Sequence, residues 1–403
     1  MAQHGRTDVE VVVVGGGPTG LTAAIALAAA GVATALVSQK PRRDNRTTAL
    51  LTGSVTALET LGVWERCRAD VAALRVMRIV DDTARLLRAP EVSFSADEIG
   101  CDAFGYNIKN EHLLAALEAR AGELSGLARI EDQATAIDLA EGRASVRLAG
   151  GGSVQARLAV AADGRDSAVR TAAGIATDRS SYPQTALTLN LAHARPHHDI
   201  STEFHTETGP FTLVPLPGER SSLVCVVDRA TATALSALDD AAIGQEIERR
   251  SHSILGKVAV EPGRGAFPLE IATARAFAAR RVALVGEAAH VMPPIGAQGL
   301  NLGLRDAAMI GELVVAARRD GRDVGADELT ASYQRMRRAD VMSRTLAVDL
   351  LNRSLLTDFL PVQGMRGFGL YLIDRIAPLR RAVMREGMAP AAAAPRLMRG
   401  EAL

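Results

Sequence analysis

Aromatic side chains are scarce: 8 Phe, 4 Tyr and 1 Trp occur in 403 residues. Neither an aromatic cage nor a base-stacking platform can then be the main binding device, and aliphatic packing must carry the core. Cysteine is scarcer still. Cys67, Cys101 and Cys225 lie far apart and form no C-x-x-C, which argues against a disulfide scaffold and structural zinc and fits a reducing, cytoplasmic compartment. Net charge is absent as well. The 46 Lys and Arg balance 46 Asp and Glu, so no overall field draws nucleic acid, and any membrane contact must be local. The chain also lacks G-x-S-x-G and H-E-x-x-H motifs, leaving acyl transfer and zinc hydrolysis without support.

What is present is the profile of a folded protein, 48% hydrophobic and 23% charged, with length for two or three domains. Residues 11–38 carry no charge and could cross a bilayer by count alone. However, Gly15, Gly16, Gly17, Pro18, Gly20 and Gly31 break the run, and acidic Asp8 and Glu10 precede it where a signal peptide would be basic. The pattern predicts a strand over 9–14, a glycine turn, a helix over 21–30 and a strand over 33–37. A helix follows over 111–124 and an antiparallel meander over 133–162. Residues 184–228 read as β-rich, a buried strand returns at 281–285, and a helix runs over 300–318. These elements predict an α/β fold. A discontinuous Rossmann-like domain (1–78, 101–178 and 275–330) holds an inserted β-sheet domain (79–100 and 179–274), followed by a helical region (331–388). The Ala/Pro-rich tail, 389–403, is expected to be disordered.

Gly15-x-Gly17-x-x-Gly20 follows a predicted strand and opens a predicted helix, the context that makes it a dinucleotide signal. Gly15 permits the turn, Gly17 admits a pyrophosphate, and Gly20 allows close helix–strand packing. Ser38-Gln39-Lys40 stands where an acidic residue for the ribose is expected. Ser38 offers a neutral partner, roughly half as strong as a charged one. Lys40, Arg42 and Arg43 raise the competing idea of a 2′-phosphate. A second signal is Asp163-Gly164, which alone is also compatible with an ordinary capped turn. A third is the run 282–307, whose Gly286, Gly296, Gly299 and Gly303 imply backbone close to a ligand. Its Gly299-Leu300-Asn301 segment opens a helix whose amides could face an electron-rich group. His193, His197, His198 and His205 invite a metal reading, but no matching Cys or carboxylate spacing accompanies them. They read as surface or strand histidines, and His290 as a structural hydrogen-bonder or a neighbour of the ligand loop.

The three segments, in this order and at these separations, resemble the flavoprotein aromatic hydroxylases related to p-hydroxybenzoate hydroxylase. Within that superfamily RTTALLTGSVTALETLGVW, GYNIKNEHLLAAL, GPFTLVPLPGERSSLV and PIGAQGLNLGLRDA are similar to segments of the ubiquinone-biosynthesis hydroxylase family. The resemblance implies bound FAD, with Gly15, Gly17 and Gly20 at its pyrophosphate and Pro18 and Thr19 lining the same turn. Ser38 would face the ribose, Arg46 the phosphates or adenosine side, and Asn110 the ribityl region. Asp163 and Gly164 would serve FAD and, transiently, NAD(P)H. Glu287 stands where the family has Asp or Asn. Residues 293–301, including Gly296, would flank the isoalloxazine, with Gly299, Leu300 and Asn301 offering amides to its N1–C2 edge. Because the first β-α-β unit then belongs to FAD, the 2′-phosphate idea loses ground and Lys40, Arg42 and Arg43 read as a solvated loop. The implied reaction is ring hydroxylation with NAD(P)H and O2 through a flavin C4a-hydroperoxide. The substrate would be a polyprenylated phenol of ubiquinone biosynthesis, a small soluble phenol or aromatic acid being the alternative. A non-catalytic flavoprotein in a biosynthetic complex is the reading that Ser38 and Glu287 keep open. Residues 346–384 mix Leu, Phe and Tyr with Arg and suggest either helices packed on the first domain or a contact at a membrane surface.

Overall fold

The computed structural model describes residues 6–40, 44–84, 88–294, 296–356, 369, 372–373, 375–388 and 394–403. Arg42, Arg43 and Ile295 lie outside them, as does much of the segment 346–384. The α/β architecture is built on a six-stranded sheet. Its order is Ala278–Ala279, Val282–Leu284, Leu158–Ala161, Val11–Val14, Thr34–Ser38 and Leu127–Glu131. All neighbours run parallel except the first pair. Val11–Val14 is four valines buried throughout, as a β-branched run covered on both faces should be. The helix Pro18–Ala29 follows with Pro at its first turn, where its missing N–H costs nothing. Its small residues let the long helix Gln298–Arg319 lie close: a Cβ at Gly311 would sit 3.5 Å from that of Ala26.

One expectation needs correction. Leu158–Ala161 does not close the meander but pairs in parallel with Val11–Val14. The meander is Ala134–Leu139, Ala144–Leu148 and Ser153–Ala156, extended by Arg6–Asp8. The reason is burial: Leu158–Ala161 is apolar on both faces and wholly covered, so its place is the sheet centre.

A nine-stranded sheet forms the second layer. Thr177–His193 runs through its middle, flanked by Arg220–Asp228 and Gly265–Ala274. Gly209–Leu216, Ile200–Thr206, Val76–Asp81 and Val92–Ser95 continue it on one side. Its outer face packs Leu187, Leu191, Phe204 and Phe211 into a separate core with two short helices, leaving the other face free for the site.

The tail also departs from expectation. Residues 389–393 lie outside the described residues, but Arg396–Arg399 form a turn of 3-10 helix with Leu397 buried. Leu403 reaches Gly311, where a Cβ would lie 2.9 Å from its Cδ1. Apolar side chains at Leu397 and Leu403 find grooves that the Ala/Pro composition conceals. No helix among the described residues is long and apolar enough to cross a membrane.

Candidate functional site

The turns after Val11–Val14, Leu158–Ala161 and Val282–Leu284 open on one edge of the parallel sheet, the carboxyl edge at which such sheets bind ligands. A single cavity of about 1130 Å³ begins there and is walled on its far side by the nine-stranded sheet. It exceeds a typical small-ligand pocket of roughly 300–1,000 Å³, so a dinucleotide and a substrate can share it.

The glycines divide into two kinds. A Cβ at Gly15, whose φ is +114°, would lie 2.2 Å from the Ala162 carbonyl oxygen, and one at Gly20 would lie 2.0 Å from that of Gly15. The protein's own packing demands both. Gly17, by contrast, has nothing within 4 Å of its missing Cβ and faces the cavity with Pro18 and Thr19. The helix that starts there has no side-chain cap and no acidic residue in its first turn, so its free N–H groups are left for a ligand.

Gly303 is corrected. It was expected to lie against a ligand, yet it does not line the cavity, and a Cβ there would meet Thr19 Oγ1 at 2.5 Å and Gly286 Cα at 3.2 Å, whereas Gly286 does line the cavity beside Thr19. These glycines let the first and third motifs touch at Thr19. Ser38 ends the Thr34–Ser38 strand at the cavity wall, and a Cβ at Gly16 would lie 2.6 Å from its own.

Arg46 and Asn110 meet on Asp44, which no motif singled out. Arg46 donates to both Asp44 oxygens, at 2.8 and 2.7 Å, and Asn110 Nδ2 donates to Oδ2 at 2.8 Å. Thr48 Oγ1 donates to Asn110 Oδ1 at 2.6 Å. Burial pushes the Asp44 carboxyl up, but the hydrogen bonds from Arg46 and Asn110 outweigh it and hold the group below its ordinary value. The Arg46 guanidinium lies 5.3 Å from the Phe267 ring centre.

Asp163 and Gly164 line the cavity, and the Asp163 side chain also steadies its own turn, accepting from Ser167 Oγ and from the Val169 amide at 3.2 Å. Glu287 is half exposed and lies 3.5 Å from Arg165 Nε. Gly296, Gly299 and Leu300 form the opposite rim. The helix Gln298–Arg319 starts there from Ala297, which sits at φ +54° without a side-chain cap, a left-handed conformation that costs an alanine roughly 1–2 kcal/mol. The first helical N–H groups, through Leu300, have no intrahelical acceptor. Asn301 is a correction. It stands behind the rim and its amide falls within the helical ladder. Its side chain accepts from the Leu51 amide at 2.9 Å and donates to the Ala49 carbonyl at 2.8 Å, fastening the rim to the Thr47–Leu51 strand.

Behind the site lies a buried charged network. His290 lines the cavity and places Nε2 2.7 Å from Asp306 Oδ2, which also accepts from the Gly286 amide at 2.9 Å. Arg337 Nε donates to the other oxygen at 2.6 Å. Burial works to raise the Asp306 carboxyl, while Arg337 and His290 together bring it below its ordinary value. The remaining histidines go separate ways: His193 to Ser221, His197 to the Leu216 carbonyl, His205 to Glu203.

These features fit a dinucleotide: open glycine faces at two uncapped helix starts, with a polar cluster between them. Comparison with known proteins agrees. The model of the FAD binding domain matches residues 8–346. Ubiquinone hydroxylase UbiL of Rhodospirillum rubrum is 35% identical over 402 residues, covering 97% of this chain and 92% of the relative. The 3-demethoxyubiquinol 3-hydroxylase of Escherichia coli is 29% identical over 385 residues, 93% of this chain and 97% of its own. In fold, p-nitrophenol 4-monooxygenase PnpA from Pseudomonas putida superposes with a TM-score of 0.79 at 18% identity, covering 97% of this chain and all of its own. The chain therefore belongs to the FAD binding domain family and is an FAD-dependent monooxygenase of the ubiquinone-biosynthesis hydroxylase group.

Proposed function

We propose that this monooxygenase hydroxylates the ring of a polyprenylated phenol on the route to ubiquinone. One observation carries the reading: the cavity that begins at the glycine turn continues, without a partition, to apolar walls at Leu74, Phe104, Val214 and Val224. Bound FAD supplies the redox chemistry, accepting a hydride from NAD(P)H and activating O2. The protein supplies the rest. Free amides at the start of the Pro18–Ala29 helix hold the pyrophosphate, and Ser38 offers the ribose a neutral hydrogen bond. Arg46, fixed by Asp44, adds positive charge, with Asn110 and Glu287 placed for the ribityl chain and Asp163 and Gly164 lining the same groove. The free amides of Gly299 and Leu300 would offer hydrogen bonds to negative charge developing on a bound flavin. The aliphatic walls keep water from the reacting atoms.

Two helix faces support a greasy substrate. On Asp327–Leu356, Met342, Leu346 and Leu350 are 51, 58 and 58% exposed at a spacing of four, one stripe of the helix. On Ala377–Met388, Leu379 and Val383 repeat the pattern at 40 and 42% exposed. Exposed apolar stripes on two helices suit a lipid surface from which a prenylated ring could enter. Purified protein should carry a flavin spectrum, and 2-farnesylphenol should accelerate NAD(P)H oxidation and yield a product heavier by one oxygen. Faster turnover of a short soluble phenol, or an unchanged quinone profile in cells lacking the gene, would overturn the assignment.

A further inference from the structure

The large sheet presents the cavity with hydroxyl side chains, Thr188, Ser201, Thr212 and Ser222, and with a single carboxylate among the described residues, Glu203. Alternation along Ile200–Thr206 places it there: Thr202 and Phe204 turn to the buried side, Ser201 and Glu203 to the cavity. Two neighbours hold the carboxylate. His205 Nε2 lies 2.9 Å from Oε1, and Thr212 Oγ1, directly across the antiparallel register, donates to Oε2 at 3.2 Å. A carboxylate can only accept, so His205 carries its proton on Nε2. Its Nδ1 is buried with no hydrogen-bond partner. Burying an unsatisfied polar atom is costly, and the arrangement gains one hydrogen bond in return, the one that fixes Glu203. No Lys or Arg among the described residues forms an ion pair with Glu203, whose side chain is 23% exposed. A carboxylate in a wall otherwise lined by hydroxyl and apolar side chains, oriented from two sides and paired with no Lys or Arg among the described residues, is set up to receive a proton.

We propose that Glu203 is the base that takes the proton of the substrate's ring hydroxyl. The inference rests on the phenol reading above. The O–H bond breaks, its electron pair stays on oxygen and enriches the ring, and the proton forms a new O–H bond on the Glu203 carboxylate. Once the ring has gained its oxygen, the hydrogen displaced from the attacked carbon leaves as a proton, and the ring oxygen regains one from Glu203. The carboxylate is restored, and NAD(P)H and O2, which the monooxygenase activity already requires, supply the oxidation. His205 and Thr212 act as positioning residues.

The test compares wild type and Glu203→Gln on 2-farnesylphenol and on a ring-fluorinated analogue with a more acidic hydroxyl. General-base loss should lower kcat on the first by about 100-fold, with KM and flavin content near wild type. On the fluorinated phenol, which ionises with less help, the loss should shrink to under about 10-fold. Equal rates in variant and wild type, or equal losses on both phenols, would overturn the role of Glu203 alone. A wild type that hydroxylates neither phenol would overturn the phenol reading and this inference with it. Should Glu203→Gln purify without flavin, Thr212→Val and His205→Gln decide: wild-type rates in both remove the proposal, and a several-fold loss that fluorination repairs supports it.

Discussion

Arg337 Nε lies 2.6 Å from Asp306 Oδ1, with both side chains 1% exposed. The pair joins the Asp327–Leu356 helix to the Gln298–Arg319 helix, and through His290 and the Gly286 amide it reaches the cavity wall. Removing one partner of a buried ion pair leaves an uncompensated charge and typically costs about 3–5 kcal/mol. Asp306→Asn should therefore lose stability of that order in urea denaturation. A smaller loss, below about 1 kcal/mol, would mean the network is not structural.

The same pair sets a pH dependence. Burial tends to raise the Asp306 carboxyl, but Arg337 and His290 bring its folded pKa below the ordinary 3.8. The unfolded state then binds the proton more readily, so this contribution is complete above about pH 4 and is lost as pH falls through the lower folded value. Urea midpoints measured between pH 6 and pH 3 should fall more steeply for the wild type than for Asp306→Asn at the acid end. Parallel curves would remove the assignment.

Gly20 and Gly17 should separate folding from cofactor binding. A Cβ at Gly20 would stand 2.0 Å from the Gly15 carbonyl oxygen, whereas nothing lies within 4 Å of one at Gly17. Gly20→Ala should lose stability by several kcal/mol through backbone displacement. Gly17→Ala should unfold like the wild type yet retain FAD at least tenfold more weakly, because its methyl enters the space for the pyrophosphate. Flavin titration and urea denaturation on the two variants give both answers, and wild-type FAD affinity in Gly17→Ala would place the pyrophosphate elsewhere.

The exposed stripes make a prediction independent of the chemistry. Leu346→Glu combined with Val383→Glu places two carboxylates where apolar side chains now face outward. Co-sedimentation with vesicles containing phosphatidylglycerol should drop by at least half, while turnover of a soluble phenol is unchanged. Equal sedimentation of variant and wild type would exclude these helices as the contact.

What the sequence made legible, and what it hid, follows from how far apart the interacting groups lie. Gly15, Gly17 and Gly20 were readable because a tight turn and close packing impose their demands on adjacent residues. The parallel pairing of Leu158–Ala161 with Val11–Val14 was not, since it joins segments far apart in the chain, and the unbroken apolar run marks a strand covered on both faces without naming its partner. Gly303 reads in sequence like a ligand contact because close backbone approach looks the same whether the neighbour is a cofactor or Thr19. Asp44, Asp306 and Arg337 carry no local pattern at all. Their partners are set by folding, as is the docking of Leu397 and Leu403, whose surroundings in sequence are poor in hydrophobic structure. Glu203 gains its role from the wall it faces, which strand pairing across Thr212 sets and the local sequence does not show.

Ser38 offers a gain-of-affinity test. The fingerprint places a carboxylate at this strand end to accept from the ribose hydroxyls, and here a hydroxyl lines the cavity instead. A charge-assisted hydrogen bond is about twice as strong as a neutral one, a difference near 1 kcal/mol and therefore about five-fold in affinity. The bare Gly16 backbone leaves the room, because a Cβ there would lie 2.6 Å from Ser38 Cβ. Ser38→Glu should bind FAD about five-fold more tightly in flavin titration, and Ser38→Ala should bind it a few-fold more weakly. Ser38→Gln, neutral and of the same length as Glu, should stay near wild type. If Glu and Gln raise affinity equally, length rather than charge limits the site, and if Glu weakens binding, the ribose does not lie at Ser38.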